Sequence, residues 1–221
     1  ATEKKLKLRI AGPDKVVYTY NLNQEGKYET FPLSGGAGKY SIAVYENISG
    51  SKYATAYSTT MTVMLTDEYA PYLRANQYVN YTADSEAVKK AAELVKGKNT
   101  VLEKIAAVYH YTVTTLTYDK EKAKTVQSGY LPDVDKVLAE QKGICFDYAA
   151  LMTAMLRSQG IPTRLVVGYA GDVYHAWINT FIPSSGVGLV TNILLSLVDF
   201  VYLSVGQVSV WLPYVMIGAW I

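Results

Sequence analysis

Apolar and polar residues alternate in short stretches over the first 66 residues of the chain. Successive side chains of a β-strand point to opposite faces of a sheet, so this pattern predicts strands with one buried face. Turn-forming residues such as Gly12-Pro13-Asp14 and Gly35-Gly36 separate the stretches. The predicted strands cover residues 5–10, 16–21, 39–47 and 53–65. We therefore expect residues 1–66 to form a small all-β, sandwich-like domain of antiparallel strands.

The spacing of apolar residues changes to a helical period after residues 67–84, which are predicted to be a linker. Thr100 and Glu103 have the spacing of a capping box, and Gly160 followed by Pro162 is a helix stop signal. Predicted helices cover residues 85–96, 100–116, 133–142 and 145–158, and predicted strands follow at 163–169 and 174–182. Helices followed by strands indicate that residues 85–221 form one α+β domain.

Cys145 is the chain's single cysteine and lies at the predicted first turn of a helix, just after Gly143. The unpaired N–H groups and the positive dipole end of a helix start favour the thiolate over the thiol. The same N–H groups are suited to holding an oxyanion. Most free cysteines, however, are small buried apolar residues. Position alone leaves the reactive and the structural interpretation open.

His175 follows Cys145 by thirty positions on a predicted strand, which is enough chain to return an imidazole to the helix start. A neutral histidine there can take the thiol proton and later return it to a leaving group. A strand histidine with satisfied hydrogen bonds in the core is the alternative. His110, in the middle of a predicted helix, is interpreted as structural.

A third group would orient the imidazole, and three carboxylates are candidates. Asp172 precedes His175 by three residues on a turn, and Asp147 shares a helix turn with Cys145, so both have unfavourable geometry. Asp199 is selected by elimination as the third catalytic residue.

The stretch KGICFDYAALMTAMLRSQGIPTRLVVGY, followed by YHAWI, resembles the core of the transglutaminase-like superfamily. LTYDKE, upstream of it, also resembles the family, and the resemblance covers roughly residues 85–182. The matching positions are Gly143, Cys145, Tyr148, Ala149, Leu151, Leu156, Arg157, Gly160, Ile161, Pro162, Arg164, Gly168, Tyr169, His175, Ala176 and Trp177.

The resemblance implies a papain-like α+β fold, in which a helix bearing Cys145 packs on an antiparallel sheet bearing His175 and an aspartate. It implies acyl transfer on peptide or side-chain amides through a thioester, ending on water, as in a protease or amidase, or on an amine, as in protein cross-linking. Hydrolysis of a protein or a cell-wall peptide is the preferred expectation. A surface-binding or structural module that retains the fold without catalysis is the alternative.

The C-terminal part departs from the family, because no Asp-Pro follows the histidine strand and all 21 Lys and Arg residues precede residue 165. From Val173 onwards, Asp199 is the sole acidic residue. Three explanations remain open for the residues after about 183. They are the buried remainder of the sheet, a membrane-embedded segment, since residues 187–221 exceed the roughly 20 needed to span, or a change of reading frame in the gene.

The charge and the number of metal-binding residues argue against two further classes of function, nucleic-acid binding and zinc binding. The net charge of +2, without a basic cluster, argues against a nucleic-acid partner. The run from Lys120 to Lys124 alternates with acidic and small residues and is interpreted as a solvated face. One cysteine and two histidines cannot readily form a structural zinc site, and no cofactor is expected. The tyrosine-rich strands suggest a secreted or cell-surface location, although no signal sequence is present in this chain.

Overall fold

The computed structural model describes residues 1–170, 172–184, 187–193, 200–205 and 208–213, with side chains through residue 182 except Gly171. The chain divides into two compact units, at residues 1–71 and 72–221. A short 3₁₀ helix, Ala70–Tyr72, lies at the boundary.

The first unit is built on one antiparallel sheet with the strand order β2-β1-β3-β4. Its strands are β1 Leu6–Ala11, β2 Val17–Leu22, β3 Gly38–Ser49 and β4 Lys52–Val63. Leu8 and Ile10 on β1 are buried together with Tyr20 and Tyr40, as the alternation requires. The strand-rich N-terminal region is thus confirmed. A sandwich needs a second sheet, whereas the described strands of this unit form one.

The second unit combines five helices with two sheets among its described residues. Its helices are α1 Glu86–Leu94, α2 Val101–Thr115, α3 Lys120–Thr125, α4 Val134–Glu140 and α5 Cys145–Ser158. Its strands are β5 Thr117–Tyr118, β6 Lys142–Gly143, β7 Thr163–Ala170, β8 Val173–Ser184, β9 Val187–Ile193, β10 Phe200–Val205 and β11 Val208–Pro213. Helices with an antiparallel sheet confirm the α+β prediction.

Helix α5 is the centre of this unit. Its residues from Cys145 to Arg157 are buried, apart from the half-buried Phe146. The helix packs against α1, α2 and α4 and against β7 and β8. Gly160 adopts a positive φ of 73° just beyond the helix, a backbone conformation that glycine tolerates best. A helix that is apolar on every side is expected to be surrounded by other elements, and α5 is.

The larger sheet is antiparallel and has the strand order β11-β10-β9-β8-β7. Gly168 on β7 pairs with His175 on β8, which fixes the register around the histidine. Beyond residue 184, the strands β9, β10 and β11 continue this sheet over their described ranges. In the part of the chain that the structure describes, no helix is both long enough and apolar enough to cross a membrane.

A second, two-stranded sheet lies directly before α5. Strands β5 and β6 pair in parallel, with Thr117 opposite Lys142 and Tyr118 opposite Gly143. The Asp119 N–H also donates to the Gly143 carbonyl at 2.8 Å. This pairing fixes the backbone two residues before Cys145.

Candidate active site

The start of α5 is closely packed around Gly143 and Ile144. The Ile144 N–H donates to Asp147 Oδ2 at 2.8 Å, so the third helical residue reaches back to the residue that caps the helix. A Cβ atom at Gly143 would lie 2.6 Å from the Asp147 Cβ, closer than side chains approach. Only glycine therefore fits at position 143, and this explains its place two residues before the thiol.

The Cys145 thiol is buried, with 8% of the residue exposed. Burial raises the pKa of the thiol, because a thiolate loses solvation in the interior. Hydrogen bonds from the backbone N–H groups of Ala176, Phe146 and Cys145 lower this pKa, while the negative charge of Asp147 raises it. The net direction is upward. The helix start acts as the sequence suggested, but desolvation outweighs it.

The segment around His175 lies against the thiol. The Cys145 sulfur accepts a hydrogen bond from the N–H of Ala176, the residue that directly follows His175. His175 itself is 5% exposed. Trp177, two residues further along β8, is half-buried, and its Cη2 would lie 3.6 Å from a Cβ at Gly168. The structure thus brings the helix start and the histidine strand together. His110, by contrast, is exposed on α2.

The three candidates for the orienting carboxylate have different surroundings. Asp199 lies outside the described residues. Asp172 is exposed on the turn between β7 and β8. Asp147 is wholly buried and bonds to Lys122 Nζ at 2.7 Å and to Tyr130 Oη at 2.5 Å. The contacts of Asp147 therefore stabilise the start of α5.

Two tyrosines complete the buried surroundings of the thiol. Burial raises the pKa of the Tyr118 phenol, and the charges of Cys145 and Asp147 raise it further. Burial likewise raises the pKa of Tyr148, with added effects of Tyr118 and Asp147. Both hydroxyl oxygens are buried and lack a hydrogen-bond partner among the described residues. These phenols stay protonated and uncharged well beyond neutral pH.

Residues 88–187 match the family model of the transglutaminase-like superfamily core. This part of the chain is therefore similar to transglutaminase-like domains. The matched range contains both Cys145 and His175, together with helices α2 to α5 and strands β5 to β8.

The chain is also similar to individual proteins. A Bacillus subtilis protein described as uncharacterized protein YebA is 29% identical over 116 residues, which cover 43% of this chain and 16% of that protein. The chain thus spans less than a fifth of that relative's length. A candidate cysteine protease from Cytophaga hutchinsonii has 18% identity and a TM-score of 0.48, with 87% of this chain and 77% of that chain covered. The periplasmic domain of TgpA from Pseudomonas aeruginosa, solved with ethylmercury, has 18% identity and a TM-score of 0.43, with 87% and 90% covered.

Two residues that contact the start of α5 carry no signal in the sequence and were not predicted. Lys122 belongs to a run that was interpreted as a solvated face, yet its side chain is only 28% exposed and pairs with Asp147. Tyr130 lies in a loop and donates its hydroxyl to the same carboxylate. Neither has a local sequence signal, because both contacts join segments far apart in the chain. The described residues contain no group of three or more His, Cys, Asp or Glu side chains arranged to hold a metal ion.

Proposed function

We propose that this chain catalyses cysteine-dependent acyl transfer on amide substrates, with Cys145 as the nucleophile and His175 as the general base and acid. The observation that supports the proposal most directly is the hydrogen bond from the Ala176 N–H to the Cys145 sulfur. It holds the thiol at a helix start and beside the strand position of an imidazole. The match of residues 88–187 to the transglutaminase-like superfamily core supports the proposal, since the resemblance implies this chemistry.

The raised pKa of the thiol determines when the proton moves. Since burial keeps Cys145 protonated near neutral pH, His175 takes the proton as the sulfur attacks the carbonyl carbon. The tetrahedral oxyanion is then stabilised by N–H groups at the start of α5. As the C–N bond breaks, His175 gives the proton to the leaving amine, and a thioester remains on Cys145. Water, activated by the same imidazole, completes the hydrolysis. Asp199 is proposed to orient His175.

Hydrolysis of a protein or a cell-wall peptide is the preferred outcome of this chemistry, and transfer to an amine is the second candidate. A location outside the cytoplasm, expected from the composition, is part of the same proposal. Fluorescently labelled casein tests hydrolysis, and incorporation of a fluorescent primary amine into casein tests cross-linking. Release of labelled peptides without amine incorporation supports hydrolysis.

Two substitutions test the catalytic roles. Cys145→Ala is expected to reduce turnover to background, because no other thiol is present in the chain. His175→Asn is expected to lower turnover by about 10²–10⁴-fold. His110→Asn, in the exposed face of α2, is the matched control and should retain wild-type turnover. If wild type and Cys145→Ala show the same background on both assays, the result favours the alternative, a non-catalytic surface-binding or structural module.

A further inference from the structure

Lys122 and Asp147 form an ion pair whose acidic member is completely buried. Lys122 Nζ lies 2.7 Å from Asp147 Oδ2, and the two side chains are 28% and 0% exposed. A buried carboxylate without a cation would pay a large desolvation penalty. The lysine on α3 therefore makes it possible for an ionised aspartate to lie inside the first turn of α5.

Tyr130 closes the network. Its hydroxyl donates to Asp147 Oδ1 at 2.5 Å and accepts from Lys122 Nζ at 2.6 Å. The Lys122 ammonium also lies 4.3 Å from the centre of the Tyr130 ring. That ring packs edge-on against Phe146, the residue after the candidate nucleophile. The carboxylate in turn holds the N–H of Ile144, the residue before it. The network thus contacts both chain neighbours of Cys145.

The same carboxylate acts electrostatically on the sulfur, since its charge raises the pKa of Cys145. Other titratable groups around the start of α5 include Tyr118 on β5, Asp119 with its ion-pair partner Lys142, Tyr130, Tyr148 on α5 and His175 on β8. Burial keeps the three phenols neutral, and Asp119 is balanced by Lys142 at 3.2 Å. Among the described residues, Asp147 is thus the buried negative charge closest in sequence to the thiol.

We propose that Lys122 is a positioning residue for Cys145, which holds the Asp147 carboxylate in the first turn of α5 and cancels its charge at the thiol. The proposal takes Cys145 as the nucleophile from the proposed function. The proposal makes a prediction about the ionisation of the Cys145 sulfur alone. Without the ammonium, the carboxylate is an unbalanced negative charge beside a group that must become negative during attack.

The test is the pH dependence of Cys145 alkylation by iodoacetamide, a neutral reagent that reacts with the thiolate. Cys145 is the single thiol of the chain, so the reaction reports on it alone. Lys122→Met is expected to raise the midpoint of the alkylation profile by about one pH unit. Lys122→Arg retains the charge and should keep the midpoint near that of wild type. No turnover is needed, so the outcome is independent of whether the chain hydrolyses amides.

A substitution of the carboxylate has the opposite predicted sign. Asp147→Asn keeps an oxygen that can accept from the Ile144 N–H but leaves the Lys122 ammonium unbalanced. The midpoint should therefore fall below that of wild type. In Lys122→Met/Asp147→Asn both charges are absent, and the midpoint should return toward the wild-type value. A purely structural role of Lys122 predicts neither the fall nor the return.

Lys124→Met is the matched control, because Lys124 lies on the same helix in an exposed ion pair with Glu121. It should leave the alkylation midpoint unchanged. An unchanged midpoint in Lys122→Met overturns the proposal. So does a midpoint that is raised in Lys122→Met and stays raised in Lys122→Met/Asp147→Asn. If Lys122→Met does not fold, Asp147→Asn decides alone: a midpoint equal to or above that of wild type overturns the proposal, and a lower one supports it.

Discussion

Cys145 is subject to opposing effects, and their balance determines how the site has to work. Burial and the Asp147 charge oppose the thiolate, whereas three backbone N–H groups favour it. Because burial prevails, the resting thiol keeps its proton near neutral pH, and in the proposed mechanism the imidazole removes that proton during the attack. Positioning of the two groups therefore matters more than a preformed ion pair.

The lack of space for a side chain at Gly143 is a second feature at the scale of single residues, and it can be tested. A Cβ at this position would lie 2.6 Å from the Asp147 Cβ and 2.9 Å from its Oδ2, so Gly143→Ala has to displace the carboxylate. We expect the free energy of unfolding to fall by about 1–3 kcal/mol, measured by urea denaturation with tryptophan fluorescence. All three tryptophans lie after residue 176 and report on the second unit.

Gly168→Ala is the comparison for Gly143→Ala, because its added Cβ would meet Trp177 Cη2 at an ordinary 3.6 Å. Loss of unfolded-state entropy should then raise the free energy of unfolding by up to about 1 kcal/mol. Equal effects of the two substitutions would show that the close approach at Gly143 is not a constraint.

The sequence indicated some residues of this site and not others, for a physical reason. Cys145 and His175 could be selected because their residue types are reactive and a helix start and a strand were readable around them. Lys122 resembled a surface lysine, since its neighbours Lys120, Glu121 and Lys124 are exposed. Which lysine of such a run turns inward depends on a partner 25 residues away, and no local pattern records that distance.

At the scale of elements, the sequence predicts long helices from their strong apolar periodicity, but it does not predict strands of only two residues. The predicted helix at residues 145–158 has the observed bounds of α5, and the Thr100 capping box is formed with Glu103. Strands β5 and β6 have two residues each and carry no periodic signal, although their pairing fixes the backbone before Cys145. Helix α3 was missed as well, because it is six residues long.

Helix α1 is capped from another element, and this gives a prediction. The Ala87 N–H donates to Asp135 Oδ1 at 2.9 Å, whereas the side chain of Ser85, directly before the helix, makes no capping bond to it. Asp135→Ala should lower the free energy of unfolding by about 1 kcal/mol. Ser85→Ala should cost about 0.5 kcal/mol or less. The reverse order in urea denaturation would contradict the capping role of Asp135.

At the scale of the molecule, the second unit has several ionisable groups in its interior around α5. Cys145, Tyr118, Tyr130 and Tyr148 are protonated and uncharged there, and burial is the main cause of the raised pKa of each. Asp147 and Arg157 are the buried charged side chains of α5, and Asp147 is balanced by Lys122. An interior that depends on protonated groups is stable at neutral pH and vulnerable to alkali.

The sign of this dependence follows from proton binding. Each of the four groups has a higher pKa in the folded than in the unfolded chain, so the folded state binds its proton more tightly. Their contribution to stability is complete below the unfolded values, 9.0 for the thiol and 10.0 for the phenols. It is lost as the pH rises from there through the folded values.

The free energy of unfolding should therefore be nearly constant between pH 7 and about 8.5 and then fall, by about 1 kcal/mol per pH unit for each group that titrates. Tyr148→Phe removes a fully buried phenol, so its profile should fall less steeply above the ordinary phenol pKa. Tyr169→Phe, at a residue that is 72% exposed, should leave the slope unchanged. Urea denaturation at a series of pH values measures both profiles. A stability that stays level to pH 11 would mean that these groups remain solvated in the folded chain, and the raised thiol pKa on which the proton transfer to His175 depends would be lost with them.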